Sequence, residues 1–287
     1  MAKKAKSVKQ TASKKLEEVD VSYELGVGET QVHIVGTSTL LMERFSQKAW
    51  RELLLPPRQS NRAERAQKLK HDPLWEFQQA CYRNRDPDQP TLFHLPNGML
   101  HGVMKSIGVD IPGAAKAEIA RLTTIIDENI CLFGIPLMHM AMVRNSGINR
   151  SPDVRTRPAF KQWAAKFTIR FATPLMNLRN VTNLVSAGGQ FIGIGGWRRQ
   201  KGGPFGSFRI CSPDDPEYKA LLKNAGRKMQ QAAFIAPLPY DDEVEELFSW
   251  FNDEVKRREL LKTHPVVNDD NGEEYDDENE EELEAAE

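Results

Sequence analysis

From Trp163 to Phe171 the chain settles into an alternation of apolar and polar positions. Phe167, Ile169 and Phe171 face one way and Lys166, Thr168 and Arg170 the other, which is the two-residue period of a strand with one packed face. The stretch opened by Glu29 repeats the period: Val32 and Ile34 share one side, His33 and Val35 the other, so Glu29 to Gly36 reads as a central or half-buried strand. Gly36-Thr37-Ser38 turns the chain, and Thr39 to Met42 continues apolar up to Glu43-Arg44. Ile130 to Val143 is almost uncharged, and Pro136 within it argues against one helix. That run predicts two strands, or a strand and a bulge, partly buried on both faces. Shorter strands are expected at 91–95 and 206–211.

A helical rhythm runs elsewhere. Ser46 is a candidate N-cap for a helix to Leu55, stopped by Pro56-Pro57. Asn61 to Arg83 reads as two helical pieces broken near Asp72-Pro73. The first is charged, and the second carries Leu74, Trp75, Phe77 and Cys81 for packing. Pro96-Asn97-Gly98 has turn chemistry, and His101 to Val109 follows as a short, glycine-punctuated helix. Gly113 to Asp127 is the clearest helix, with Ala114, Ala117, Ile119, Leu122, Ile125 and Ile126 as its apolar face. Asn177 to Ala187 places Leu178, Val181, Leu184 and Val185 on one face, with Gly188 and Gly189 as terminators. Asp214 to Phe234 forms another helix. Asp241 to Leu261 forms the last, acidic at its start, basic at its end, with Val244, Leu247, Phe248, Trp250 and Phe251 apolar.

The order strand, helices, strand, strand, helix, strand predicts an α+β chain. Its core would be a ferredoxin-like (RRM-like) β-α-β-β-α-β unit with large helical and hairpin insertions. The expected organisation is a disordered basic arm over 1–19, the core over 20–235 with insertions at 46–127 and 144–160, a C-terminal helix over 236–265, and a disordered acidic tail over 266–287.

Charge sharpens this picture. The formal net charge is -1, but residues 269–287 hold 12 acids and no base. Without them 39 basic residues stand against 28 acidic ones, a net of +11. Met1 to Lys15 has six lysines and no acid; such an arm also fits a nuclear-localisation or ribosome-like tail. Arg144 to Arg209 contains 12 Lys or Arg, with Asp153 its one acid. A field of that sign and density favours a polyanion partner. The three cysteines, Cys81, Cys131 and Cys211, form no CxxC pair and read as buried thiols of a reducing compartment. The start lacks an apolar signal core and no apolar run reaches membrane length, so a soluble cytoplasmic protein is expected.

The centre of the chemistry is Ala187 to Ile210, AGGQFIGIGGWRRQKGGPFGSFRI. It sits between a helix and a strand, the reverse of a nucleotide-hydrolase phosphate loop or a dinucleotide fingerprint. Dense glycine marks a backbone that turns tightly or approaches something closely. With Arg198, Arg199, Lys201, Trp197 and Phe205 in it, phosphates with stackable bases fit. An irregular hairpin kept soluble by its arginines fits as well, with Trp197 as a hydrophobic peg. Arg144 to Phe160, RNSGINRSPDVRTRPAF, adds Arg144, Arg150, Arg155 and Arg157 on a long hairpin or a mobile loop. The candidate nucleic-acid contacts are therefore Arg144, Arg150, Arg155, Arg157, Lys166, Arg170, Gly195, Gly196, Trp197, Arg198, Arg199, Lys201, Gly203 and Phe205. Catalytic signals are sparse. The histidines are scattered, HExxH and GxSxG are absent, and no cofactor or metal is expected. His139 reads as a satisfied core histidine. Asp110 and Asp127 have no evident partner, and Asp153 reads as half of a local salt bridge or as a metal or phosphate positioner.

Three segments carry a resemblance. VHIVGTSTLLMERFS, LPNGMLHGVMKSIG and AGGQFIGIGGWRRQKGGPFGSF resemble a family of uncharacterised bacteriophage proteins. The last is also similar to the glycine-rich loop of the RAMP superfamily, the RNA-binding backbone subunits of CRISPR effector complexes. That resemblance spans 28–212 with gaps. It implies a ferredoxin-like core with a long hairpin, polymerised along RNA. By it, Gly98 to Gly108 leads into a helix on the RNA backbone, and Arg144 to Pro158 is the projecting hairpin. Gly193, Gly195, Gly196, Gly202, Gly203 and Gly206 belong to the loop. The acidic tail and the helices between 46 and 83 depart from it; the tail resembles those of single-stranded-DNA-binding proteins, which recruit partners and compete for the basic groove. The resulting expectation is a non-catalytic binder of single-stranded RNA or DNA in a bacterial cytoplasm, acting as a homo-oligomer. The alternatives are a phage structural or assembly protein that polymerises without nucleic acid, and a nuclease.

Overall fold

The computed structural model describes residues 25–44, 69–111, 115–144 and 152–258. The helix expected from Ser46 to Leu55, most of the charged piece after Asn61, the basic arm and the acidic tail lie outside them. In chain order the elements are β1 (Gly26–Gly36), β2 (Leu40–Leu41), α1 (Pro73–Gln79), β3 (His94–Pro96), α2 (Asn97–Ile107), α3 (Lys116–Leu122), β4 (Thr123–Ile125), β5 (Asn129–Gly134), β6 (Leu137–Arg144), β7 (Pro152–Phe160), β8 (Trp163–Thr173), α4 (Leu178–Phe191), β9 (Phe208–Cys211), α5 (Pro216–Asn224), α6 (Arg227–Ile235) and α7 (Asp242–Arg257).

The architecture is mixed α+β with two sheets, neither closed into a barrel. The larger sheet runs β3-β5-β8-β1-β9, with β4 also on β8, and every pairing is antiparallel. Val32 stands opposite Phe167 and Ile34 opposite Ala165. The alternation read from the sequence therefore puts Val32, Ile34, Phe167, Ile169 and Phe171 on one face. There they form a core with Leu100, Val103, Met104 and Ile107 of α2 and Val181, Leu184 and Val185 of α4. The opposite face is covered at one end by α5, where Tyr218, Leu221 and Ala225 bury Val35 and Ala164. Beyond that cover the face presents Glu29, Gln31, Lys166, Thr168 and Arg170, with no Phe, Tyr or Trp among them.

The two glycines expected to end α4 lie inside it. A Cβ on Gly188 would fall 2.4 Å from Val103 Cγ1, and one on Gly189 2.5 Å from the Phe208 carbonyl oxygen. These glycines set how closely α4 approaches α2 and β9, and the helix ends instead at Ile192, where Gly193 takes φ +73. Pro96-Asn97-Gly98 is not a free turn: Pro96 caps α2, which starts at Asn97. The helix expected over 113–127 is confined to α3. Thr123, Thr124 and Ile125 are β-branched and stiff at χ1, and they pair with Phe171, Arg170 and Ile169 instead. The helix expected over 214–234 is two, α5 and α6, broken at Ala225-Gly226.

The smaller sheet, β2-β7-β6, is the hairpin fastened to the core. It begins at Leu137, earlier than the boundary at 144, because β6 continues the apolar run after Pro136. Leu40 and Leu41 pair with Phe160 and Ala159, so β2 leaves the first sheet and carries the second. The α1 helix packs on β7, where Glu76 Oε2 accepts from the Thr156 amide at 3.1 Å. On the outer edge of β6, Met138 exchanges backbone hydrogen bonds with Leu238 and Tyr240. Of the apolar face expected on α7, Val244 is buried, whereas Leu247 and Trp250 are exposed. Cys81 is buried; Cys131 and Cys211 are half-buried rather than buried as expected, and all three are free thiols. No helix among the described residues is long and apolar enough to cross a membrane.

Candidate functional site

The loop between α4 and β9 is built on its own backbone. The Ile194 amide donates to the Gly206 carbonyl at 2.9 Å, the Gly206 amide to Thr39 at 2.8 Å, and the Gly196 amide to Leu41 at 2.8 Å. The loop thus lies as an extra layer along the chain segment that contains β2. Gly193, Gly195, Gly202 and Gly206 all have φ between +73 and +81, a region that side chains strain. A Cβ on Gly203 would lie 1.8 Å from the Trp197 carbonyl oxygen. The close approach that dense glycine predicted is therefore made, in the first place, between strands of the loop itself. A 3-10 turn at Arg199–Lys201 carries the basic cluster at the tip.

Folding of the loop against α2 opens a cavity of about 250 Å³. One wall is the face of α2 that carries Gly98, Gly102 and Ser106, spaced four apart and so stacked on one side of the helix. The other is Ile192 to Gly195, with Arg198, Gln200 and Lys201 at the loop and Glu43 from the segment after β2. Among the described residues nothing stands within 4 Å of where a Cβ on Gly98 or Gly102 would point, so toward those residues both glycines face open space. Arg198 is folded onto its own loop: Nη1 donates to the Gly195 carbonyl at 3.3 Å, and Nη2 to Gln200 Oε1 at 2.9 Å. Arg199 donates to the Gln190 carbonyl at 2.9 Å and remains exposed, as does Lys201.

Beside the cavity stands an aromatic cluster. Trp197 is 54% exposed and has φ +40, the one positive φ outside glycine among the described residues. Its ring meets Phe205 edge-on at 5.7 Å, and Phe205 in turn meets His139, 5.8 Å away. His139 also meets Tyr240 at 5.1 Å. It is not the satisfied core histidine that its apolar run suggests, because it is only half-buried and its Nδ1 is buried without a hydrogen-bond partner among the described residues. Burial lowers its pKa, so the imidazole is neutral near pH 7.

The structure divides the fourteen sequence candidates. Gly195 and Arg198 with Lys201 line the cavity, and Gly196, Trp197, Arg199, Gly203 and Phe205 belong to the same loop. Arg157 reaches the rim from β7, where Nη2 donates to Glu43 Oε1 at 2.5 Å. Burial lowers its pKa and Glu43 pulls it back up, so it remains a cation. Arg155 and Arg144 are exposed further out on the hairpin. Arg150 lies outside the described residues. Lys166 and Arg170 are on the far face of the large sheet, away from α2 and α4, and Arg170 is paired with Glu29 at 2.7 Å. They do not join the loop, for the reason their alternation with Phe167 and Ile169 already contains.

Asp153 is the local ion-pair partner expected of it, 3.4 Å from Lys70 Nζ, 3.6 Å from Arg155 Nε and 3.0 Å from His71 Nε2. Asp127, expected to lack a partner, accepts from the Thr168 amide at 2.6 Å. Among the described residues no group of three or more His, Cys, Asp or Glu is arranged to hold a metal. Glu43 escapes sequence reasoning because a single acid after an apolar run carries no signal. The four-residue spacing of Gly98, Gly102 and Ser106 is a legible signal for the facing wall. No known protein-family profile matches the sequence, and no curated protein is significantly similar to it.

Proposed function

We propose that the chain is a non-catalytic single-stranded nucleic-acid-binding protein whose strand enters along the cavity between α2 and the glycine loop. The observation that carries this reading is the meeting of an open, glycine-faced helix wall with a loop bearing Arg198, Arg199 and Lys201, next to the exposed ring of Trp197. Cations at the loop suit phosphates, the open wall gives a strand room, and an exposed indole suits a base with a free π-face. A duplex, with its bases already stacked, has no use for the indole.

We read the β1-α2-β5-β8-α4-β9 path as a ferredoxin-like core. Its support is the antiparallel order β5-β8-β1-β9 with α2 and α4 packed together on one face. The far face lacks the aromatic platform by which RNA-recognition sheets stack bases, so we assign binding to the loop side. The RAMP resemblance adds cooperative coating by a homo-oligomer, in a bacterial cytoplasm that suits three free thiols. A second reading, an assembly protein, draws on Trp250 of α7 and on Leu238 beside the hairpin's outer edge, which are 59% and 67% exposed.

Fluorescence anisotropy with labelled single-stranded DNA, single-stranded RNA and duplex DNA over a salt series tests the reading, on the whole chain and on a chain ending at Val267. The expected result is single-strand binding that weakens steeply with salt and strengthens without the acidic tail. Absence of binding by either protein at low salt overturns the proposal and leaves the assembly reading.

A further inference from the structure

The cavity is not uniformly cationic. Among the described residues its charged lining is Arg198, Lys201 and one carboxylate, Glu43. Glu43 is held in place: Oε1 accepts from Arg157 Nη2 at 2.5 Å, and Oε2 stands 3.0 Å from the point a Cβ on Gly196 would occupy. A side chain at 196 would crowd Oε2. An ionised carboxylate has about four lone-pair sites, so one guanidinium leaves acceptor capacity on both oxygens. Such a group repels a phosphate or a carbonyl edge and welcomes an N–H donor.

The remaining walls are suited to a planar ring. Met99, Val103, Ile192 and Ile194 are apolar, Ser106 and Gln200 add neutral polar groups, and the open sides of Gly98 and Gly102 leave room between them. With phosphate drawn to Arg198 and Lys201, the polar edge of a base in this space meets Glu43. Cytosine offers an amino group at position 4 where uracil and thymine carry a carbonyl oxygen. Cytosine and uracil are alike in size, so that pair isolates hydrogen-bond character from stacking and fit, while thymine adds a methyl group at position 5.

We propose that Glu43 is a specificity-determining residue that accepts a hydrogen bond from the exocyclic amino group of a seated base, so that the site prefers cytosine to uracil or thymine. This rests on the nucleic-acid reading above. Arg157 acts as the positioning residue that holds the carboxylate at the rim. A carbonyl placed there faces the carboxylate with a second acceptor and leaves its free acceptor sites unfilled, the kind of mismatch that sites built around a hydrogen bond reject strongly.

The test uses the full chain with oligo-C, oligo-U, oligo-dC and oligo-dT of equal length, at one fixed salt concentration. Cytosine oligomers are expected to bind about tenfold more tightly than their uracil or thymine counterparts. In Glu43→Gln the preference collapses toward unity because affinity for cytosine falls. Gly102→Leu fills the cavity from the helix wall, replaces a poor helix former, and is expected to abolish the preference with no loss of melting temperature. Equal wild-type affinities, or a preference that survives in Glu43→Gln, overturn the role of Glu43 while leaving binding itself intact. Failure of all four oligomers to bind removes this inference together with the reading it rests on.

Discussion

The Gly206 backbone lies against that of Ile194 so closely that a Cβ on Gly206 would stand 1.8 Å from the Ile194 carbonyl oxygen. The same two residues are joined by the hydrogen bond from the Ile194 amide to the Gly206 carbonyl. Gly206 has φ +77 and Gly202 has φ +76, yet among the described residues nothing lies within 4 Å of a Cβ on Gly202. The pair separates backbone strain from steric clash. Gly202→Ala is expected to cost roughly 1–2 kcal/mol, the strain of a left-handed residue alone. Gly206→Ala should cost clearly more, since the same strain of about 1–2 kcal/mol is joined by a displaced backbone. Urea unfolding of both variants checks this; equal losses would show that the loop yields freely at Gly206.

The contrast also explains which parts of the fold are legible in the sequence. Alternation in 163–171 and 31–36 reports burial directly, because each residue's side is decided by its own strand. The split of 130–143 into β5 and β6 is readable from Pro136 for the same local reason. Gly188 and Gly189 mislead because a glycine that ends a helix and one that admits a neighbouring helix look alike until Val103 and Phe208 are in place. Thr123 to Ile125 misleads because β8 supplies the partner that turns β-branched residues from a helix end into a strand. In the site, the loop's cations are visible in sequence, but the cavity needs α2 and Glu43, brought in from elsewhere in the chain.

Arg199 and Lys201 are exposed at the loop tip, so their removal should touch affinity and spare the fold. For single strands, each phosphate that the protein no longer neutralises lowers the slope of log affinity against log salt by about 0.7. The double variant Arg199→Ala/Lys201→Ala is expected to flatten that slope by about 1.4, uniformly across base compositions. Anisotropy over a salt series measures it. An unaltered slope with unaltered affinity would remove both residues from the interface.

Trp197 presents more than half its surface to solvent while its ring edge rests on Phe205. A ring that stacks on a base contributes about 1–3 kcal/mol, whereas deleting an exposed ring costs a folded protein little. Trp197→Ala should therefore weaken single-strand binding by about 5- to 150-fold with the unfolding midpoint nearly constant. Trp197→Phe should restore part of the loss. Were Trp197 only a peg on Phe205, the alanine variant would lose stability and keep its affinity, so thermal melts and binding isotherms together decide between the two roles.

His71 joins α1 to the hairpin through two carboxylates, with Nδ1 at 2.6 Å from Glu76 Oε1 and Nε2 at 3.0 Å from Asp153 Oδ1. Only the imidazolium can donate at both nitrogens. The hydrogen bond with Glu76 is the main cause that raises the pKa above 6.5, with Asp153 adding to it while burial and Lys70 oppose. Because the folded state holds this proton more tightly than the unfolded chain, the stabilisation is complete below pH 6.5 and is lost as pH rises through the raised folded value. Burial lowers His94 to about 4 and lowers His33, His101 and His139 as well, so their contributions run the other way and fade as pH falls. The stability of the whole protein against pH therefore mixes opposing trends, and the difference between wild type and His71→Gln isolates the bridge. That difference is expected to be largest in mild acid and to shrink on the alkaline side of neutrality. Denaturant unfolding of both proteins at acidic and alkaline pH measures it, and a difference independent of pH would mean that His71 holds the hairpin as a neutral ring.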